Sequence, residues 1–310
     1  MRTVEILGGL GNQLFQIFTL LAYCWRYKQP FYFSAEAITC GHRKKTYWDT
    51  LLLQNLAPFV KLPPLSASPL ILYREPAFHY QAIPDCPQQT LKLVGYFQSY
   101  KYFADQEEKI YRFLQVRETQ AALKKRYTPQ QPFEKTLAVH FRVGDYAAIQ
   151  HAHPLMPLAY YTQALAQFLQ DTQTANDTLC ETLTEAQQAP PQAQQAQQQA
   201  PPPPEKWHIL YFCEAADQAY VETQLIAPLK ATQSQFTFEC IQHQLSDWEQ
   251  VVMMSLCRHH IIANSTFSWW GAYLGCNSHR VYYPATWFGP AMGPKNTSDL
   301  FPPHWRRINV

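Results

Sequence analysis

Short apolar runs alternate with helix-like stretches along most of this chain, and that alternation restricts it to parallel α/β architectures. Residues 4–7 read as a strand, and Gly8-Gly9-Leu10-Gly11 as a turn. Asn12 stands where it caps a helix whose apolar positions are Leu14, Phe15, Phe18, Leu21 and Ala22. Further strands are predicted at 31–33 and 91–98, with a helix over 105–126; the Pro-punctuated stretch 40–90 yields no assignment. A second series opens with a buried strand at 136–142 and continues through helix 157–169, strand 207–213, helix 215–225, strand 236–240, helix 248–257, strand 260–264, helix 269–274 and strand 281–283. Two such series predict two Rossmann-like domains, 1–130 and 131–310, facing across a cleft. Ligands of such sheets bind outside the carboxyl ends of the strands.

Composition removes several function classes. Hydrophobic residues are 47% of 310, enough for sizeable cores and too many for a disordered chain. The net charge of +2 is below what a nucleic-acid binder carries, so no nucleic-acid partner is expected. No run of 18 apolar residues predicts a transmembrane helix, and residues 1–25 carry no evident export signal. The 8 cysteines form no CxxC pair, which argues against zinc and for free thiols in a reducing, cytoplasmic compartment. Residues 187–204 contain only 8 Gln, 4 Ala and 6 Pro. They predict a passive surface insertion, spanning about 171–205, whose deletion leaves activity intact; a docking site for a Pro-binding domain is the alternative.

Four motifs fall at predicted strand ends. In the first, Gly8 to Gln13 turns into a helix N-terminus, whose free N–H groups suit an anion. A dinucleotide fingerprint fails there because Leu14 stands where the third glycine belongs. In the second, His140, Arg142 and Asp145 follow a buried strand. Arg142 there either grips a phosphate or carboxylate or pairs with Asp145 to shape the loop, and Asp145 is otherwise a base or the group that orients one. In the third, Asn264-Ser265-Thr266-Phe267-Ser268 leads into a helix, so its hydroxyls and N–H groups either cap that helix or hold a diphosphate. Trp269 and Trp270 behind them are core residues or sugar platforms. In the fourth, Glu214 or Asp217 either accepts from a guanine or ribose or serves as a helix N-terminal charge.

Taken together and in order, Gly8-Gly-Leu-Gly-Asn-Gln-Leu-Phe-Gln16, Gly95-Tyr-Phe-Gln-Ser-Tyr-Lys-Tyr-Phe103, His140-Phe-Arg-Val-Gly-Asp-Tyr146 and Asn264-Ser-Thr-Phe-Ser-Trp-Trp-Gly-Ala-Tyr-Leu274 resemble the alpha-1,2-fucosyltransferases of glycosyltransferase family 11. The resemblance covers nearly the whole chain outside about 171–205. It implies a GT-B-like α/β fold, with the acceptor on the 1–130 side and the donor GDP-L-fucose bound mainly by 131–310. The implied reaction passes fucose, with inversion, to the 2-hydroxyl of a terminal galactose, without a metal or other cofactor. The motif match places Arg142 on the β-phosphate; it does not fix the base, for which Asp145 is the candidate, and His140, Arg142 and Asp145 form the expected catalytic set. It implies a donor-binding set of Gly11, Asn12, Gln13, Glu214, Ser265, Thr266, Phe267 and Ser268. Val143 replaces a second arginine common in relatives, and Ala215 the second of an acidic pair. Those two replacements motivate the competing readings: a non-catalytic nucleotide- or glycan-binding module of the same fold, or another nucleotide-sugar transferase. A cytoplasmic enzyme, peripheral to a membrane that presents the glycan, is the expected setting.

Overall fold

The computed structural model describes residues 1–35, 45–62, 70–87, 89–127, 132–186, 206–241, 244–275 and 280–310, without the side chains of 175–186. The tract 187–204 lies outside the described residues, and so does any expectation about it. The first half holds β1 (Arg2–Val4), α1 (Leu10–Arg26), β2 (Phe33–Ser34), β3 (Val60–Lys61), β4 (Leu70–Arg74), β5 (Thr90–Val94), α2 (Glu107–Leu114) and α3 (Val116–Arg126). Its strands form a parallel three-stranded sheet of order β1-β5-β4, and a parallel pair β2-β3. The second half holds β6 (Thr136–His140), α4 (Leu158–Ala186), β7 (Trp207–Phe212), α5 (Gln218–Val221), α6 (Ala227–Thr232), β8 (Phe236–Cys240), α7 (Asp247–Leu256), β9 (His259–Ile261), α8 (Thr266–Tyr273), β10 (Arg280–Pro284) and β11 (Arg306–Ile308). Its six strands form one sheet of order β11-β10-β9-β6-β7-β8, parallel at every described pairing. The chain is thus the expected α/β protein with parallel sheets, GT-B-like in arrangement.

Burial on both faces explains why the six-stranded sheet reads as continuous apolar runs; every residue of β6 and β7 is buried. On one face Tyr160 and Tyr161 of α4 donate to Ile262 O (2.6 Å) and His140 O (3.2 Å), fixing the strand ends from behind. On the other face a single core joins the two halves. Its centre is α1, which buries 14 of 17 residues and therefore shows apolar side chains all round. Phe15 and Phe18 pack on Trp269 and Trp270 of α8, with ring centroids 4.5 and 4.4 Å apart. Both tryptophans are fully buried, so the core reading of that pair holds. The crossing of α1 on α8 is close because residue 11 lacks a side chain. A Cβ there would stand 2.5 Å from the Thr266 carbonyl carbon and 2.7 Å from Phe267 N. Hydrogen bonds from Gln120 to Ser255 Oγ (2.8 Å), Tyr111 to Tyr273 O (2.9 Å) and Ser99 to Asp299 O (2.8 Å) tie the halves further.

Several elements differ from the sequence expectation. Asn12 does not cap α1; the helix starts at Leu10 with Gly9 at its N-cap, which places Asn12 inside the first turn. The predicted helix over 105–126 is two helices, broken where Gln115 takes a left-handed conformation (φ 55°). β2 lies two residues later than expected, and 40–90 contains β3 and β4. The insertion does not begin at 171. Asp171 belongs to α4 and accepts from the Tyr282 hydroxyl (2.7 Å) and Arg306 (2.5 Å), anchoring the helix to β10 and β11. Among the described residues no helix is long and apolar enough to cross a membrane.

Candidate functional site

The carboxyl ends of β6, β7 and β9 lie side by side in the sheet, which brings three of the four motifs together. The fourth arrives from the first half on α1. His140 is the last residue of β6, and the loop after it carries Arg142, Gly144, Asp145 and Tyr146. Gly144 has φ +38°, and a Cβ would come within 3.0 Å of Glu214 Oε1, so glycine is required at that corner. The loop is clamped by three carboxylates. Arg142 donates from one terminal nitrogen to Asp145 and from the other to Glu214. Gly144 N donates to Asp217 Oδ2 at 2.7 Å. The Arg142–Asp145 ion pair weighed from the sequence is therefore present, and Glu214 shares it. A guanidinium has five N–H donors, so three remain after these two bonds. The Arg142 guanidinium also lies over the Tyr146 ring, 4.8 Å from its centroid.

Tyr146 links this loop to the end of β9 by donating to Asn264 O at 3.2 Å. Asn264 in turn donates to Pro154 O (2.9 Å) and Trp287 O (3.3 Å). Ser265 caps α8 by accepting from Phe267 N at 3.3 Å, as a strand-to-helix serine should. The other two hydroxyls have different jobs. Thr266 donates to Asn12 Oδ1 at 3.0 Å, and the same oxygen accepts from Gln98 Nε2 at 2.9 Å. Ser268 is fully buried and donates to backbone carbonyls of 263 and 265. Phe267 packs its ring 5.5 Å from that of His140. Gly11, Asn12 and Gln13 occupy the first turn of α1 rather than a loop: Gly11 sits on α8, Asn12 bonds Thr266, and Gln13 donates to Gly8 O (3.0 Å) and Lys45 O (2.9 Å). The start of α1, the start of α8 and Arg142 thus share one edge of the molecule.

Polar groups in a protein interior nearly always find partners. Here Gln13 Oε1, His140 Nδ1, His153 Nδ1 and Asn264 Oδ1 are buried without one among the described residues, and all four lie around this edge. Burial, and secondarily the Arg142 charge, lowers the His140 pKa to about 3, so its imidazole is neutral. Burial also lowers His260, behind the sheet, to about 4. In both cases the folded pKa lies below the unfolded value of 6.5. The unfolded chain then binds more protons between those values, and stability is lost as pH falls from about 6.5 toward 4. The melting temperature should drop through that window, and a His260→Phe variant should flatten the drop. A melting temperature constant from pH 7 to 4.5 would contradict the buried neutral state of both rings.

Sequence reasoning quoted Tyr146 and Asn264 inside the motifs without giving either a role, weighed Asp217 for a nucleotide or a helix N-terminal charge, and missed His153. None has a periodic signature; Tyr146, Asp217 and Asn264 carry the signal of lying a few residues beyond a buried strand, and His153 carries none.

A family model, "Glycosyl transferase family 11", matches residues 216–309. The "O-antigen biosynthesis glycosyltransferase WbnK" of Escherichia coli is 26% identical over 168 residues, 53% of this chain and 43% of that protein. This chain's match thus spans less than half the length of that relative. The "Galactoside 2-alpha-L-fucosyltransferase" of Caenorhabditis elegans is 23% identical over 321 aligned residues, 100% of this chain and 79% of that protein. Among solved structures, a mutant of Arabidopsis thaliana FUT1 in complex with GDP gives a TM-score of 0.44 at 13% identity, covering 97% of this chain and 74% of its own. NodZ alpha-1,6-fucosyltransferase soaked with GDP-fucose gives 0.38 at 12%, covering 88% and 92%. The resemblance to glycosyltransferase family 11 is thus found by the family model over the second half, and the two curated relatives carry the names of a glycosyltransferase and a fucosyltransferase.

Proposed function

We propose that this family 11-type glycosyltransferase moves L-fucose from GDP-β-L-fucose to the 2-hydroxyl of a terminal galactose, with inversion and without a metal. The observation that carries this reading is the convergence of Arg142 with the N-termini of α1 and α8 at an edge crowded with unpartnered buried polar atoms. Two helix N-termini and a guanidinium with spare donors form a strongly anion-attracting locus, which is the demand of a nucleoside diphosphate leaving group. Departure of GDP builds charge on the β-phosphate. A preorganised guanidinium in a partly dry site stabilises that charge in place of a cation.

Within this reading Arg142 binds the β-phosphate, while Asp145 and Glu214 hold its fork in position. Both carboxylates have committed an oxygen to the guanidinium, so Asp145 acts as an orienting group. Ser265, Thr266 and Phe267 offer the start of α8 to the diphosphate. Gly11, Asn12 and Gln13 act by setting where α8 sits, and Ser268 by fixing its first turn. His140 supplies a neutral imidazole between Phe267 and the Arg142 loop. The acceptor is a β-galactoside on a glycan, consumed where the enzyme meets it at a membrane periphery from the cytoplasmic side.

The test is GDP release from GDP-fucose in EDTA, with and without lactose, Galβ1-3GlcNAc and Galβ1-4GlcNAc. Acceptor-stimulated release with an α1,2-linked product by NMR is the expected outcome. GDP-fucose binding without turnover on the whole panel would replace this reading by a binding module, the alternative raised by Val143 and Ala215.

A further inference from the structure

His153 has no place in the donor machinery above, yet it is built into the same edge. Its ring stacks on Tyr146, centroids 4.8 Å apart and planes 25° from parallel. Tyr146 is the residue that carries the Arg142 guanidinium, also 4.8 Å from the ring centroid. On another side His153 meets Phe288 at 5.7 Å, and Phe288 meets Phe78 of the first half at 5.0 Å. The loop bearing Phe288 is pinned to the His153 loop by Gly289 N donating to Ala152 O (2.8 Å) and Ala291 N to His151 O (2.9 Å). That loop lines an open recess of about 540 Å³ whose walls include Trp287, Phe288, Pro290, Pro294 and Lys295, a volume that accommodates a small oligosaccharide. His153 therefore stands between Arg142 and Phe288, which is one wall of a recess that opens just beyond the end of β10.

Resting on the fucosyl-transfer reading, we infer that His153 is the general base that takes the proton of the acceptor hydroxyl, with the acceptor sugar seated in the recess behind Phe288. The polar atoms fit this role. Nδ1 is buried with no partner among the described residues, no described hydrogen bond occupies Nε2, and the residue is half-buried, so Nε2 is the nitrogen left for a substrate. A base must come within about 3 Å of the oxygen it deprotonates, and that oxygen within about 3–3.5 Å of the carbon it attacks. A ring separated from Arg142 by one aromatic side chain suits that spacing. The step balances. The acceptor oxygen forms a bond to C1 of fucose, the C1–O bond to the β-phosphate breaks with its electron pair leaving on GDP, and the hydroxyl proton passes to Nε2. The imidazolium formed lies in the field of Asp145, then loses its proton to solvent.

Asp145, Arg142 and Tyr146 act on His153 from the loop after β6, while the loop after β10 brings the uncharged Phe288 against its ring and Lys295 into the wall of the recess. Desolvation, with Arg142 adding and Asp145 opposing, lowers its pKa below 6.5, which leaves the ring neutral and competent at neutral pH.

The experiment compares wild type with His153→Ala and His153→Asn in the full chain, using GDP-fucose and whichever β-galactoside the wild type accepts. Binding of GDP is measured by thermal shift, and initial transfer rates are followed from pH 5 to 8. The expected result is unchanged GDP binding and a fall in kcat of about 10²–10⁴-fold. The acid limb of the wild-type profile disappears, and added imidazole restores part of the rate in His153→Ala. Transfer within about threefold of wild type, with the acid limb kept, overturns the assignment. So does a loss of GDP binding in parallel with rate in both variants, which would mark a structural role. Failure of the wild type to transfer fucose at all overturns the underlying reading instead, and the two failures are told apart by the wild-type control.

Discussion

Replacing Gly11 by alanine is expected to destabilise the protein by about 3 kcal/mol or more and to remove fucosyl transfer with it. Two effects oppose each other. In a helix interior, alanine gains roughly 0.5–1 kcal/mol over glycine from backbone entropy and propensity. Against this, the new Cβ would lie 2.5 Å from Thr266 C, 2.6 Å from Thr266 O and 2.7 Å from Phe267 N. Those are backbone atoms in the first turn of α8, so no rotamer change relieves the clash. Relief comes only by separating α1 from α8, which opens the Phe15 and Phe18 contacts with Trp269 and Trp270 and breaks the bond of Thr266 to Asn12. The clash therefore wins. Gly271→Ala provides a comparison at the same helix. Its added Cβ meets Met254, 2.5 Å from the sulfur, which a rotamer change can move, and 2.7 Å from Cβ, which only a shift of α8 against α7 relieves, so this variant is destabilised too, with one side-chain contact rather than a run of backbone atoms to clear. Denaturant midpoints of both variants are the measurement. A Gly11→Ala midpoint at or above wild type would show that the crossing is looser than this geometry, and would remove the argument that α1 positions α8.

Gly11 also illustrates what the sequence made legible. The glycine-rich turn and the Asn264–Ser268 segment both marked the important edge, because a buried strand that runs into small polar residues and then a helix leaves free N–H groups and hydroxyls at the strand's carboxyl end, where a ligand binds. The motifs did not reveal what each residue does there. Gly11 reads as a phosphate-contacting glycine and Ser268 as a ligand-facing hydroxyl, yet one is a packing contact between helices and the other a backbone tie inside the core. Such roles depend on which element crosses which, and spacing along a chain carries no record of a crossing between α1 and α8. The buried sheet was legible because β6 and β7 are apolar on both faces. The strand β4 was not, because it is an edge strand whose Leu70 and Leu72 are exposed and whose neighbours are proline-rich, so it shows neither a buried run nor an apolar-in, polar-out alternation. His153 escaped notice for a related reason. A polar residue in an irregular loop acquires meaning only from Tyr146 and Phe288, which reach it from elsewhere in the chain.

Arg142→Ala should lower kcat/KM for fucosyl transfer by about 10²–10³-fold, corresponding to about 2.7–4 kcal/mol of transition-state stabilisation, while leaving the melting temperature nearly unchanged. The small stability effect follows from exposure. The Arg142 side chain is 17% exposed, but its partners Asp145 and Glu214 are 59% and 55% exposed. Ion pairs with carboxylates that open to water contribute only about 0–1 kcal/mol. The kinetic effect is large because the residue after Arg142 is Val143, so no adjacent guanidinium replaces the lost one. On the proposed reading, removal also leaves Asp145 and Glu214 facing the place where phosphate charge develops, which turns a favourable field into a repulsive one. Arg142→Lys separates the two contributions. It keeps the charge but lacks the planar fork that reaches Asp145 and Glu214 from different nitrogens, so a loss smaller than that of the alanine variant is expected. Steady-state kinetics with GDP-fucose and an accepted β-galactoside decide the matter. If kcat and kcat/KM fall together, the guanidinium acts on the departing phosphate; if KM alone rises, it merely holds the donor; and unchanged kinetics would remove Arg142 from the reaction altogether.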